Sequence, residues 1–227
     1  ILVIADSNLP KSYSKGVLDI CKKESPTHMI SLEGGEGIKT LSQVSKVYLH
    51  LEKMGADRKS LVVCLGGGTI TDMGGFAAST YKRGVSLIHL PTTVLAMVDA
   101  AIGGKTGVNT EMQANFGLLK NQIGTFYNPK MVGINHNWLQ SLNEEEILSG
   151  WGEMVKHALL KGGTHLKDLM KLRPELKDLS ALLISSARIK EAIVNRDEKE
   201  IGERASLNLG HTVGHAIESL AHDKGCE

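Results

Sequence analysis

Cysteine is scarce: Cys21, Cys64 and Cys226 are the only three in 227 residues. Odd in number and far apart, they exclude a disulfide framework and a Cys-x-x-Cys metal site, and they point to a reducing, cytoplasmic compartment. Long apolar runs are also lacking. None approaches the ~20 residues that span a bilayer, and the start has no basic segment followed by a long apolar one, so no membrane partner is expected. Nor does one sign of charge dominate. Lys and Arg number 26 against 25 Asp and Glu, a formal net charge of +1, and a nucleic-acid partner, which would call for a basic patch, is not expected either. An initiator Met is missing, and the chain opens on the strand-like run Ile1-Leu-Val-Ile4. A piece of a longer protein is therefore expected.

What is present suits a globular enzyme. With 41% hydrophobic and 22% charged residues, a chain of this length buries roughly 70% of its unfolded surface in one or two domains. Short β-type runs at 1–5, 28–32, 61–65, 86–90 and 131–134 alternate with helical patterns. One such pattern is Ile38, Leu41, Val44, Val47, Tyr48 and Leu51, stopped by Gly55. Repeated strand, helix, strand predicts a parallel sheet with right-handed crossovers. After Trp138 the β-type runs vanish and helical spacing continues to the end, broken at Gly162-Gly163 and Pro174. The expectation is an α/β domain over 1–137 and an α-helical domain over 138–227, closely packed with a cleft between them.

Three stretches carry chemistry. Leu61-Val-Val-Cys-Leu-Gly-Gly-Gly-Thr-Ile-Thr-Asp72 runs a strand into three glycines and a helix, where a pyrophosphate could meet bare backbone at the positive helix end. It is not Gly-x-Gly-x-x-Gly, and a tight turn with Asp72 favoured near the helix start is the alternative; the flanking strand favours phosphate. Read alone, Lys39 is a solvated lysine, Glu36 a first-turn carboxylate, and Thr92-Thr93 a helix cap.

The other two stretches are Val98-Asp-Ala-Ala-Ile-Gly-Gly-Lys-Thr-Gly-Val-Asn109 and Leu207-Asn-Leu-Gly-His-Thr-Val-Gly-His-Ala-Ile-Glu218. The first gathers Asp99, Lys105 and Asn109 around a Gly103-Gly104 loop. In the second, His211, His215 and Glu218 share one face if the segment is helical, with Arg204 and Asn208 continuing it. Two histidines do not make a site, because catalytic zinc takes three protein ligands and keeps one position open. Glu153 is the apt further donor. It shares a face with Lys156 and His157, and the apolar flanks (Ile147, Trp151, Met154, Val155) argue for burial rather than a surface ion pair.

Taken in order, residues 66–78, Tyr81-Lys-Arg-Gly84, Leu90-Pro-Thr-Thr93, Gly103-Gly-Lys-Thr-Gly-Val-Asn109, Lys120-Asn-Gln-Ile-Gly124, Gly152-Glu-Met-Val-Lys156 and the 208–218 segment resemble the 3-dehydroquinate synthase family of sugar-phosphate cyclases. That resemblance implies a Rossmann-like NAD domain and a helical metal domain. It also implies an activity: conversion of 3-deoxy-D-arabino-heptulosonate 7-phosphate to 3-dehydroquinate and phosphate in the shikimate pathway. Asp6, Asn8, Gly35, Glu36, Lys39, Gly67, Gly68, Asp72, Thr92, Thr93, Lys105, Lys120 and Ser141 would line the NAD site. Glu153 and His211 would hold zinc or cobalt with one later histidine. Lys105, Asn121, Arg204 and Arg83 of the partner subunit in a homodimer would take the substrate phosphate. Lys190, Asn208 and His215 would hold its carboxylate and hydroxyls, with Asp99 and Lys156 beside the reacting centre.

Two features depart from the family pattern. Residues 111–116 look like an insertion, and the final stretch, with His222, lacks the family's His-Gly-Glu motif and the helical third that follows it. A metal-dependent polyol dehydrogenase, another sugar-phosphate cyclase and an inactive binding domain are the rival readings.

Overall fold

The computed structural model describes residues 1–111, 118–171, 179–214 and 217. His215, Glu218, His222, Cys226, Pro174 and most of the expected insertion lie outside the described residues. The first half of the chain alternates β1 (Leu2–Asp6), α1 (Lys11–Glu24), β2 (His28–Leu32), α2 (Leu41–Lys53), β3 (Leu61–Gly66), α3 (Gly68–Thr80) and β4 (Ser86–Pro91). A π-helical turn (Ala96–Ala100), a hairpin of β5 (Lys105–Glu111) and β6 (Leu118–Phe126), and the short β7 (Met131–Val132) follow. The helices α4 (Glu144–Lys161), α5 (Gly163–Lys171) and α6 (Leu179–Arg196) make up the rest, with a 3-10 turn at Glu203–Asn208. Among the described residues no helix is long and apolar enough to cross a membrane.

The five-stranded sheet has the order β2-β1-β3-β4-β7 and is parallel throughout. Strand β1 shows why the sequence reads as it does. Its apolar residues are all buried because helices cover both faces, so no polar alternation is needed. Leu2 and Ile4 point into the core under α2 and α3, with Val47, Leu51, Ile70 and Met73. Val3 and Ala5 point the other way, onto α1 at Val17. A further core joins Val94, Met97 and Val98 around the π-helical turn to Ile147, Met154, Leu179 and Leu183 of α4 and α6. Through it the sheet and the helices become one packed body.

Several expectations need correction. Lys105 and Asn109 belong not to a loop but to strand β5, which pairs antiparallel with β6. The strand went unread because polar residues and Gly107 weaken its pattern. Its closeness to β6 depends on glycine, since a Cβ on Gly124 would stand 2.3 Å from the Thr106 carbonyl oxygen. Strand β7 stops at Val132 rather than 134: Gly133 donates one last bond to His89 O, and Ile134 turns into the helical core. Arg204 and Asn208 do not share a continuous helix with His211. They sit on the 3-10 turn, and Gly210, at φ +85°, breaks the chain before the next helical turn.

Gly150 of α4 sets the distance between the helices and the sheet half. A Cβ there would come within 2.4 Å of Val94 Cβ and 2.5 Å of the Leu95 nitrogen. Backbone cannot give way as a flexible side chain can, so Gly150→Ala is expected to destabilise the fold by about 1–3 kcal/mol. Urea denaturation should show a lower midpoint at an unchanged slope.

Candidate active site

From β1 the chain crosses to β2 on one side and then returns to β3 on the other. Connections that diverge in this way open a crevice at the carboxyl ends of β1 and β3, the usual place for a ligand in a parallel sheet. Asp6 ends one of these strands and Gly66 the other. The Asp6 carboxylate accepts from Asn8 N at 2.9 Å, and a Cβ on Gly34 would collide with it at 2.4 Å. Gly67 caps α3 with no side chain of its own, and a Cβ there would press on Thr93 Cγ2 at 3.1 Å. The α3 N-terminus thus presents bare amides and the positive end of its dipole at the crevice. Thr92 is buried beside it, its N–H bonded to Gly66 O. Thr93 acts as the cap read from sequence, its Oγ1 accepting from Ala96 N at 3.1 Å. Gly35 lies at φ +108°, where glycine is required.

Lys39 is not a solvated lysine. It is 3% exposed, and its Nζ donates to Asp72 Oδ2 at 2.6 Å and to Asn121 Oδ1. Asn109 locks the same group, donating to Lys39 O at 2.7 Å through its backbone and to Glu36 Oε1 at 2.8 Å through its side chain. Its Oδ1 accepts from Asn121 N at 3.0 Å. Burial raises the Asp72 carboxyl to about 6, against the opposing pull of Lys39. Lys39→Met is therefore expected to raise Asp72 further, as a carboxyl-carbon NMR titration would show.

Helices α4 and α6 meet the π-helical turn at the second cluster. Lys190 Nζ, nearly buried, contacts Asp99 Oδ1 at 2.7 Å and donates to Asp99 O at 2.6 Å. Burial alone would raise Asp99, but Lys190 and then Lys156 hold it below its ordinary value. Glu153 forms an ion pair with Lys156 and stands 3.4 Å from His211 Nε2 through Oε1. Two donors sharing one tetrahedral ion at roughly 2.1 Å each stand about 3.4 Å apart, so this pair fits a divalent metal. His157, fully buried, faces the same space. Its Nε2 lies 4.0 Å from Asp99 Oδ1 and has no hydrogen-bond partner among the described residues. Donor atoms of Asp99, Glu153 and His157 lie within 4.8 Å of one another.

The third cluster stands on the 3-10 turn. Arg204, 1% exposed, donates from Nη2 to Gly103 O at 2.8 Å and from Nη1 to Glu198 O. Gly103 must be glycine, at φ +96° and with Arg204 Nη2 2.7 Å from where a Cβ would sit. Asp197 braces the turn, accepting from the backbone of Ile201, Gly202 and Arg204. Lys105 forms an ion pair with Glu200, which also accepts from Asn208 Nδ2 at 2.9 Å. Glu200 carries no local signal in the sequence, because in the run Asp197-Glu-Lys-Glu200 it resembles one more solvated charge.

The three clusters share one field. Asp72 is influenced by Lys190 and Asp99, and Lys190 by Arg204. Lys120 is placed on β6. Arg83 stands apart, exposed at φ +67° on the turn after α3, and the Ser141 hydroxyl donates only locally, to Trp138 O at 3.0 Å.

Known proteins match the chain in two successive parts. The family model described as 3-dehydroquinate synthase N-terminal matches residues 29–149, and the one described as 3-dehydroquinate synthase C-terminal matches 150–226. A 3-dehydroquinate synthase of Parabacteroides distasonis is 41% identical over 224 residues, 97% of this chain and 62% of that one. The chain thus spans less than two thirds of the curated relatives it matches. A 2-deoxy-scyllo-inosose synthase solved with carbaglucose-6-phosphate, NAD+ and Co2+ has a TM-score of 0.82 at 30% identity, covering 97% of this chain and 61% of its own. A 2-epi-5-epi-valiolone synthase from Streptomyces hygroscopicus, with NAD+ and Zn2+ bound, has a TM-score of 0.75 at 25% identity, over 92% of this chain and 59% of its own. With both parts matched in order, the chain belongs to the 3-dehydroquinate synthase family.

Proposed function

We propose that this chain acts in a 3-dehydroquinate synthase. It would convert 3-deoxy-D-arabino-heptulosonate 7-phosphate to 3-dehydroquinate and phosphate, in the cytoplasm and as a homodimer. The observation that carries the reading is the meeting, on one set of elements, of a metal-fitting pair, Glu153 and His211, with the buried cations Lys190, Lys156 and Arg204 and the exposed Lys105. An uncharged polyol needs no such cations, whereas a phosphorylated acid does. Domains over 1–137 and 138–227 would divide cofactor from metal, with the substrate between them.

NAD would take a hydride from one hydroxyl-bearing carbon and later return it, while a divalent ion, zinc or cobalt, would polarise that hydroxyl. The bare Gly67-Gly68 turn fits a pyrophosphate, and Asp6, Asn8, Gly35, Glu36, Lys39, Asp72, Thr92, Thr93, Lys120 and Ser141 would complete the cofactor's surroundings. Glu153 and His211 would hold the ion.

The remaining work is positioning. Lys105, Asn121, Arg204 and Arg83 of the partner subunit would bind the phosphate; Lys190, Asn208 and His215 would bind the carboxylate and hydroxyls. Asp99 would stand with Lys156 at the reacting carbon. Once that carbon is a ketone, the neighbouring C–H is acidic and the departing phosphate can itself accept the proton. The enzyme would thus chiefly orient and polarise.

The test is to incubate the full-length protein with NAD, a divalent metal and the heptulosonate phosphate. Phosphate release without net NADH is expected. Net NADH from a simple polyol would overturn the reading in favour of a dehydrogenase.

A further inference from the structure

His157 has no role in the scheme above, yet it is fully buried and aimed at Asp99. Its Nδ1 lies 2.7 Å from Ser186 Oγ on α6. Ser186 Oγ can donate its O–H to Nδ1, and in that tautomer the ring proton sits on Nε2. Among the described residues that N–H has no acceptor, and it faces Asp99 Oδ1 at 4.0 Å, too far for a hydrogen bond. A buried donor left in this state is costly and calls for an explanation. Lys156, Lys190 and His165 are the other charged or titratable groups that act on the ring.

Lys190 supplies the explanation. Its ammonium is committed to Asp99, at 2.7 Å from the carboxylate and 2.6 Å from the carbonyl oxygen. On the functional reading above, on which this inference rests, Lys190 must turn to the substrate. Asp99 would then lose its nearest partner inside a buried site. We propose that His157 is a positioning residue that takes over the Asp99 carboxylate: Ser186 fixes its tautomer, and the Nε2–H receives Asp99 when Lys190 engages the substrate. A modest rotation of the Asp99 side chain closes the gap, and no other described side chain offers a waiting buried N–H toward it.

Two measurements on the full-length enzyme test this. Imidazole nitrogen NMR should find His157 in the Nε2–H form, and Ser186→Ala should mix the tautomers; an Nδ1–H form in the wild type would overturn the proposal whether or not any variant folds. His157→Leu should lower kcat by about 10- to 100-fold with KM for NAD unchanged. His157→Gln, whose amide N–H can reach where Nε2–H stood, should restore most of that loss. Wild-type kcat in the Leu variant, or a Gln variant no better than Leu, would also sink it. If the wild type releases no phosphate, the functional reading fails by itself, and the tautomer measurement still decides the geometry around His157.

Discussion

Glu153→Gln is expected to leave the fold standing and remove the metal. The wild type should carry about one divalent ion per chain, and the variant essentially none by elemental analysis. The expectation rests on the 3.4 Å separation of Glu153 Oε1 and His211 Nε2, the spacing of two ligands on one ion. A residue that only supports a ligand costs roughly 10–100-fold in affinity or activity when lost; a direct ligand should cost more, so phosphate release should fall by upwards of about 10²-fold. Gln is the informative replacement because it keeps the volume and can still hydrogen-bond, although buried Lys156 loses the charge it is paired with. His211→Ala serves as the matching control, since His211 is more exposed and lies outside the α4 core. Metal retained in both variants would remove the ground for placing the ion here.

How far the sequence could be read depends on what each residue packs against. Strand β1 was legible because burial on both faces leaves an unbroken apolar run. The β5–β6 hairpin was not, because its pairing is set by glycines at 107 and 124 and by a hydroxyl pair between Thr106 and Thr125, none of which has a strand's apolar signature. Lys39 shows the same limit in the site. Nothing local distinguishes it from a surface lysine, and its burial follows from Asp72, 33 residues on, and Asn121, 82 residues on. Glu153, Lys156 and His157 were legible as a buried face because their apolar flanks surround the helix. The supposed face of Arg204, Asn208 and His211 failed at Gly210, whose positive φ ends the periodicity that the spacing assumed.

Lys190→Met should give the largest loss of stability, about 3–5 kcal/mol, because it breaks a buried pair and leaves the Asp99 charge behind. The pH dependence should change with it. In the wild type, Asp99 is held below its ordinary value, so its contribution is present above the unfolded carboxyl pKa and is lost as pH falls through the folded one. Without Lys190, burial is opposed by Lys156 and by the His157 N–H that takes over the carboxylate, a weaker partner than the ammonium, and the Asp99 pKa climbs. The acid-side loss then moves to higher pH. Should the folded value pass the unfolded one, the sign reverses: stability would be fullest at acid pH and lost as pH rises. Urea midpoints of both proteins at pH 4 and pH 7 would show it, the variant's deficit shrinking on acidification. Adding Asp99→Asn to the variant should recover much of the loss at neutral pH, because the buried charge left without its ammonium is then gone. A deficit that is equal at both pH values and is not relieved by the second substitution would mean that Lys190 acts through packing alone.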